Sequence, residues 1–333
     1  MGDSIAAVGA SSGTILDTPR VALSLDVLTI GRVSVDLYPE QVGVPLAEVR
    51  TFRKMLGGSP TNVAVAAARF GRRAGVITKV GHDPFGEYVR RALSDFGVDA
   101  SRVGVEPGLR TPLAFCEIFP PDRFPLLFYR DPKAPDMTVT LADVDLDEVA
   151  RVPLFWTTGT GLSDEPSRRT TLACLQVRTD SGITVHDLDY RPMFWSSPEE
   201  AARLARQALA SATVVVGNLD EVQVAVGALP AAEAAAALLT LGPSLAVVKL
   251  GADGALARTR EECVSVPGIE VEVLNGLGAG DAFGGALCHA LLAGWELRRA
   301  LSFANAAGAF VASRLGCADD MPSLEDVEAL RAA

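Results

Sequence analysis

Residues 274–295 read LNGLGAGDAFGGALCHALLAGW. Gly276, Gly278 and Gly280 precede an apolar run of helical composition, so the glycines form a turn at a helix N-terminus and Asp281 falls in the first helical turn. N–H groups at a helix start lack partners within the helix, and the positive end of the helix dipole adds to them, which together make an anion site. Without side chains in the turn, a phosphate can reach the main chain. Asp281 beside that site could take a proton from a hydroxyl attacking phosphorus. Taken alone, the same residues equally suit a capping acid and a simple chain turn. No GxxxxGK[ST] loop occurs, and a dinucleotide fingerprint belongs after an early strand, which this turn near the C-terminus does not follow.

Outward from this turn, apolar strand-like runs alternate with Ala-rich helical runs. VLTI near Val27, AGVITKV near Ala74, PLFWTTG near Pro153, ITVHDLD near Ile183, TVVVG near Thr213 and LAVVKLG near Leu245 predict an α/β fold whose mostly parallel sheet is covered on both faces. Ser59-Pro60, Asp83-Pro84 and Ser197-Pro198 each offer a cap followed by proline at the first helical position, and Gly71 and Gly97 offer helix stops. Two segments, near 33–55 and 103–130, read as short strands joined by turns and predict a small β lid on the main domain. Residues 1–24 have the composition of a flexible tail, leaving 25–333 as the folded domain.

The chain has 333 residues, 49% of them hydrophobic, enough for one large domain with a modest appendage. Its 41 acidic residues outnumber 30 lysines and arginines, a net charge of −11 that disfavours nucleic acid and anionic membranes as partners. An anionic small molecule would need a local basic cluster. Five scattered cysteines without CxxC spacing, no leader-like N-terminus and no long apolar run predict a reducing, cytoplasmic setting. His82, His186 and His289 show no paired spacing that would suggest a metal.

Further motifs converge on the glycine turn. Asp36 follows a predicted strand, and Asn62 opens a helix after Gly57 and Gly58; the carboxylate and amide can bond vicinal hydroxyls, and the glycines admit a polyol close to the backbone. With GGSPTNVA at 57–64 and GLGAGDAF at 276–283, the chain resembles the ribokinase-like (PfkB) sugar kinases over roughly residues 25–330. That resemblance implies a Rossmann-type three-layer fold with a β-sheet lid, ATP as phosphoryl donor and Mg2+. By the same resemblance Asp281 is the general base, and Gly278, Ala279 and Gly280 form the anion hole. Asn218-Leu219-Asp220-Glu221 matches the family's NxxE motif, which implies ATP contacts for Asn218 and a Mg2+ role for Glu221. Lys249, Gly251 and Gly254 resemble its KxGxxG segment near the nucleotide, and Asn305 in ANAAGAF matches the helix lining the adenine pocket. Most members carry Asp-Thr where this chain has Asn275-Gly276, so the resemblance leaves K+ activation undecided.

Lys54, Arg130 and Arg191 are expected to converge on a carboxylate, since guanidinium groups grip carboxylates bidentately. With these cations, the set most resembles the subgroup of the family acting on 5-dehydro-2-deoxygluconate in myo-inositol catabolism. Kinases of 2-dehydro-3-deoxygluconate are the nearest alternative, a nucleoside kinase a more distant one. A catalytically silent binding protein on the same fold is the alternative of another class. Apolar residues such as Leu37, Leu126 and Phe128 suggest that the lid could also pair two copies in a homodimer.

Overall fold

The computed structural model describes residues 24–178 and 182–332; except for Ser24, the expected tail lies outside them. Along the chain run β1 (Val27–Ile30), β2 (Ser34–Pro39), β3 (Phe52–Gly57), α1 (Ser59–Arg69), β4 (Ala74–Gly81), α2 (Pro84–Asp95), β5 (Val103–Glu106), β6 (Leu113–Cys116) and β7 (Leu126–Tyr129). There follow α3 (Leu146–Arg151), β8 (Leu154–Thr158), α4 (Ser167–Gln176), β9 (Ile183–Asp187), α5 (Pro198–Leu209), β10 (Val214–Asn218), α6 (Leu219–Val226) and α7 (Ala231–Leu239). The chain continues through β11 (Leu245–Lys249), β12 (Ala255–Arg258), β13 (Cys263–Val266), α8 (Ala279–Leu292), α9 (Leu297–Ala312) and α10 (Leu324–Ala332).

Nine strands form one sheet in the order β13-β12-β11-β10-β9-β8-β1-β4-β5. All neighbours are parallel except β11–β12 and β12–β13. Both faces are apolar because alternate residues of each strand point to opposite sides. Val27, Val76, Val185, Val214 and Val247 join residues of α1, α2, α8 and α9 on one face. Val215, Ala246 and Val248 join α5, α6 and α7 on the other, where Leu28, Ile30, Ile77 and Phe155 meet α3 and Cys174 of α4. The result is a three-layer α/β domain.

A second sheet of four strands, ordered β3-β2-β6-β7, supplies the small appendage. Strand β5, from the segment expected to be wholly lid, instead pairs in parallel with β4 at the edge of the large sheet. Its alternation of apolar and polar residues suits an edge of either sheet, so sequence could not assign it. Pairing of Asp36 with Met55 and Ala114 puts these three on one face of the small sheet, which packs inward through Tyr38, Met55 and Cys116 on Cys317 and Leu277. Leu126 and Phe128, expected outside, turn inward, Leu126 into that cluster and Phe128 against Phe194 at 5.0 Å. Outward face Leu37, Phe52, Phe115, Leu127 and Tyr129; Leu127 and Tyr129 are the most open of the five.

Asp83 and Ser197 cap α2 and α5 as expected, accepting from the N–H groups of Gly86 and Glu200. Ser59 does not cap α1: Gly58, at φ 103, is the cap residue and Ser59 already lies in the helix. No single helix among the described residues is long and apolar enough to cross a membrane.

Candidate active site

Helices α1 and α8 start side by side because small residues let them approach. A Cβ on Gly285 would lie 2.3 Å from the Cβ of Ala66, and one on Gly284 would meet the buried ring of Trp156 at 2.8 Å. This contact sets the first turns together, where Asn62 Nδ2 donates to Asp281 Oδ2 at 2.8 Å. Gly278 precedes α8 at φ 81, a backbone that only glycine adopts freely, and a Cβ there would come within 2.5 Å of Cys317 Sγ. Ala279, Gly280 and Asp281 follow as the first helical turn, whose N–H groups have no acceptor within the helix. Burial raises the Asp281 carboxyl above its ordinary range, while hydrogen bonds from Asn62 and Ser59 work against it.

The small sheet delivers Asp36. Its carboxylate accepts from Ser34 Oγ at 2.6 Å and lies over Gly57, where any Cβ would sit 2.1 Å from it. Gly58 likewise leaves no room for a side chain, since a Cβ would stand 2.4 Å from the carbonyl of Arg32. Burial pushes the Asp36 carboxyl up to about 6, Ser34 and the charge of Arg32 opposing the rise and the charge of Asp281 adding to it.

Ends of adjacent parallel strands bring further charge, as open α/β sheets do at their carboxyl edge. In register, Thr158 pairs with Asp187 and Asn218 with Lys249. Lys249 Nζ lies 3.8 Å from Asp187 Oδ1 and within 3.3 Å of where a Cβ of Gly280 would be. Burial raises Asp187 against the pull of Lys249; Lys249 stays above its ordinary value because Asp187, Glu221 and Asp281 outweigh burial. Asn218 and Glu221 cap α6 reciprocally, each side chain accepting from the other's N–H at 2.9 and 2.8 Å. Gly251 and Gly254 lie in the turn between β11 and β12, where the Gly254 carbonyl accepts from Leu250 N–H at 2.8 Å. Asn305 on α9 donates to the Pro267 carbonyl at 3.0 Å and borders a cleft of about 510 Å³ that Ile269, Arg298 and Ser302 also line.

The three expected cations fare differently. Arg191 pairs with Asp189 at 3.1 Å, and Arg130 clasps the fully buried Asp136 with two nitrogens at 2.5 and 3.1 Å. Lys54 does not join them: it shares the face of its pair partner Leu37, opposite to Asp36, and its Nζ sits 3.8 Å from the centre of the Tyr88 ring. Sequence reading passed over Arg32, Asp187, Asp189 and Asp136. Arg32 follows the first strand-like run, and Asp187 and Asp189 close the ITVHDLD run, a signal that could have found them; Asp136 lies in a short 3-10 helix, Pro135–Thr138, and carried none. Asp189 is the only non-glycine at positive φ among the described residues, at 31°.

A carboxylate beside a glycine-opened helix, at the carboxyl edge of a parallel sheet and facing a smaller sheet, is the arrangement of a small-molecule kinase. The chain belongs to the pfkB family of carbohydrate kinases, whose family profile matches residues 24–324. It is similar to the 5-dehydro-2-deoxygluconokinase of Clostridium perfringens, at 32% identity over 310 residues that cover 91% of each chain. Among solved structures it is similar to an E. coli ribokinase II bound to ATP and Mg2+, with 25% identity, TM-score 0.85 and coverage of 93% of this chain and 99% of that one. A fructokinase of Vibrio cholerae O395 solved with fructose, ADP and potassium matches at 28% identity and TM-score 0.82, covering 92% of this chain and 98% of that one. The protein is an ATP-dependent sugar kinase.

Proposed function

We propose that this kinase transfers the γ-phosphoryl group of ATP to the 6-hydroxyl of 5-dehydro-2-deoxy-D-gluconate, a sugar acid of myo-inositol breakdown. The observation that carries the chemistry is Asp281, held by Asn62 at the start of α8 beside main-chain N–H groups. The name borne by the C. perfringens relative supports the substrate.

In this reading Asp281 takes the proton of the attacking hydroxyl while Gly278, Ala279 and Gly280 offer N–H groups to the charge developing on the phosphoryl oxygens. Asp36, Gly57, Gly58 and Asn62 hold the sugar hydroxyls, and Arg130 and Arg191 face its acid end. Asn218, Lys249, Gly251, Gly254 and Asn305 border the nucleotide, whose base fits the cleft beside Asn305. Among the described residues no three potential metal-ligating side chains cluster. That suits a Mg2+ ion held mostly by phosphate and water, with Glu221 bonding those waters. Magnesium would neutralise charge on the phosphates. Asn275 accepts from Leu277 N–H and donates to the Leu315 carbonyl, and it is neutral where many relatives carry an acid.

The small sheet acts as a lid over the sugar, and its outer apolar face pairs two copies in a homodimer. The test is a coupled ATP-consumption assay with Mg2+, with and without K+, comparing 5-dehydro-2-deoxygluconate, 2-dehydro-3-deoxygluconate, ribose and adenosine. The first acid should give the highest kcat/KM, and Asp281→Asn should lower kcat about a thousandfold with the melting temperature kept. Preference for ribose or adenosine would overturn the substrate, and full activity of Asp281→Asn the base.

A further inference from the structure

Burying an unpaired guanidinium is costly, and two arginines of this protein show how acceptors offset that cost. Arg178 donates to the carbonyls of Val152 and Ile183 and to Thr184 Oγ1, and Arg130 is clasped by Asp136. Arg32 differs. It is 8% exposed, its buried Nε has no hydrogen-bond partner, and its nearest ion pair, Nη2 to Asp189 Oδ2, spans 3.9 Å, beyond hydrogen-bond range. Asp189 meets other groups at closer range, Oδ1 with Arg191 at 3.1 Å and Oδ2 with Thr160 Oγ1 at 2.8 Å.

Position gives this unfilled capacity a meaning. Arg32 stands two residues beyond the end of β1 at the carboxyl edge of the sheet, and its guanidinium lies 5.6 Å from the centre of the Phe128 ring. That ring packs on Phe194, over which Arg130 lies at 5.3 Å. The charge of Arg32 favours the ionised forms of both Asp36 and Asp281. A planar fork whose Nε is unpartnered and whose Nη2 lies beyond hydrogen-bond range of Asp189, at the carboxyl edge of the sheet, suits a planar anion held by two parallel N–H bonds.

We propose that Arg32 determines specificity by taking the carboxylate of the sugar acid, filling the place that Lys54 leaves by lying over Tyr88. This rests on the sugar-acid reading above. Arg191, paired with Asp189 at 3.1 Å, borders the same anion.

The experiment measures kcat and KM of the wild type, Arg32→Met and Arg32→Lys for 5-dehydro-2-deoxygluconate and for its carboxamide, in which the anion is replaced by a neutral amide. The wild type should prefer the acid. Arg32→Met should raise KM for the acid about 30-fold, as loss of a charged hydrogen-bonded pair does, with KM for the amide little moved and kcat for both within about tenfold of the wild type. Arg32→Lys, which keeps charge without the fork, should recover part of the loss. Equal losses on acid and amide would overturn the inference while leaving the sugar-acid reading intact. A wild type indifferent between acid and amide would overturn both. Should Arg32→Met not fold, Arg32→Lys decides by the same split at smaller size.

Discussion

A carboxyl group enclosed between sheet and helix gives up its proton reluctantly, and Asp36 shows this at a place where its ionisation would matter. Burial lifts it from the usual carboxylate range to about 6. Below that pH it is protonated and can accept fewer hydrogen bonds; above it, the ionised form accepts at both oxygens, which would favour the sugar hydroxyls proposed to lie there. Sugar-acid binding measured without ATP should therefore tighten as pH rises through about 6, and Asp36→Asn should bind more weakly with that dependence removed. Titration calorimetry between pH 5 and 8 checks both, and an unchanged pH profile in Asp36→Asn would remove Asp36 from the sugar site. The same group also costs stability as it ionises. The unfolded chain releases its proton near the ordinary value, so the folded state loses ground as pH climbs from there to about 6.

Among the elements, the start of α8 concentrates the constraints. Gly278→Ala forces a side chain into a left-handed backbone and against Cys317, a strain of about 2 kcal/mol. Its melting temperature should fall, and kcat/KM should fall more than tenfold because the first N–H groups of the helix shift with the cap. Wild-type turnover in that variant would remove Gly278 from the proposed anion site. This turn was legible in sequence because glycines before an apolar run have few readings, and so were the strands of the large sheet, whose runs of Val and Ile are long and flanked by helix signals. Where two local signals competed, sequence misled. Ser59 looks like a cap, yet Gly58 can hold the strained cap backbone and leaves Ser59 inside α1 beside Asp281. Leu126 and Phe128 were expected outside because one strand's phase cannot tell which of its faces meets the core; pairing with β6 decides it. From a short 3-10 helix, Asp136 reaches Arg130 and the N–H of Val33, 103 residues earlier, a partnership that only folding reveals.

At the scale of the whole molecule, the small sheet shows one face to the domain and an apolar one outward, where Leu127 is 48% and Tyr129 61% exposed. Surfaces of that kind mark association sites. The protein should sediment as a dimer at micromolar concentration, and Leu127→Glu should shift it to monomers without lowering its melting temperature by more than a few degrees; a monomeric wild type would dismiss the pairing. The Asn62–Asp281 hydrogen bond joins residues 219 positions apart. Its two halves leave the ribosome far apart in time, so a nascent chain can complete the early strands and still lack this pair until its last quarter docks onto α1. Contacts of such long sequence separation slow folding, and with Asp281 as the proposed base they would leave every shorter nascent length unable to spend ATP.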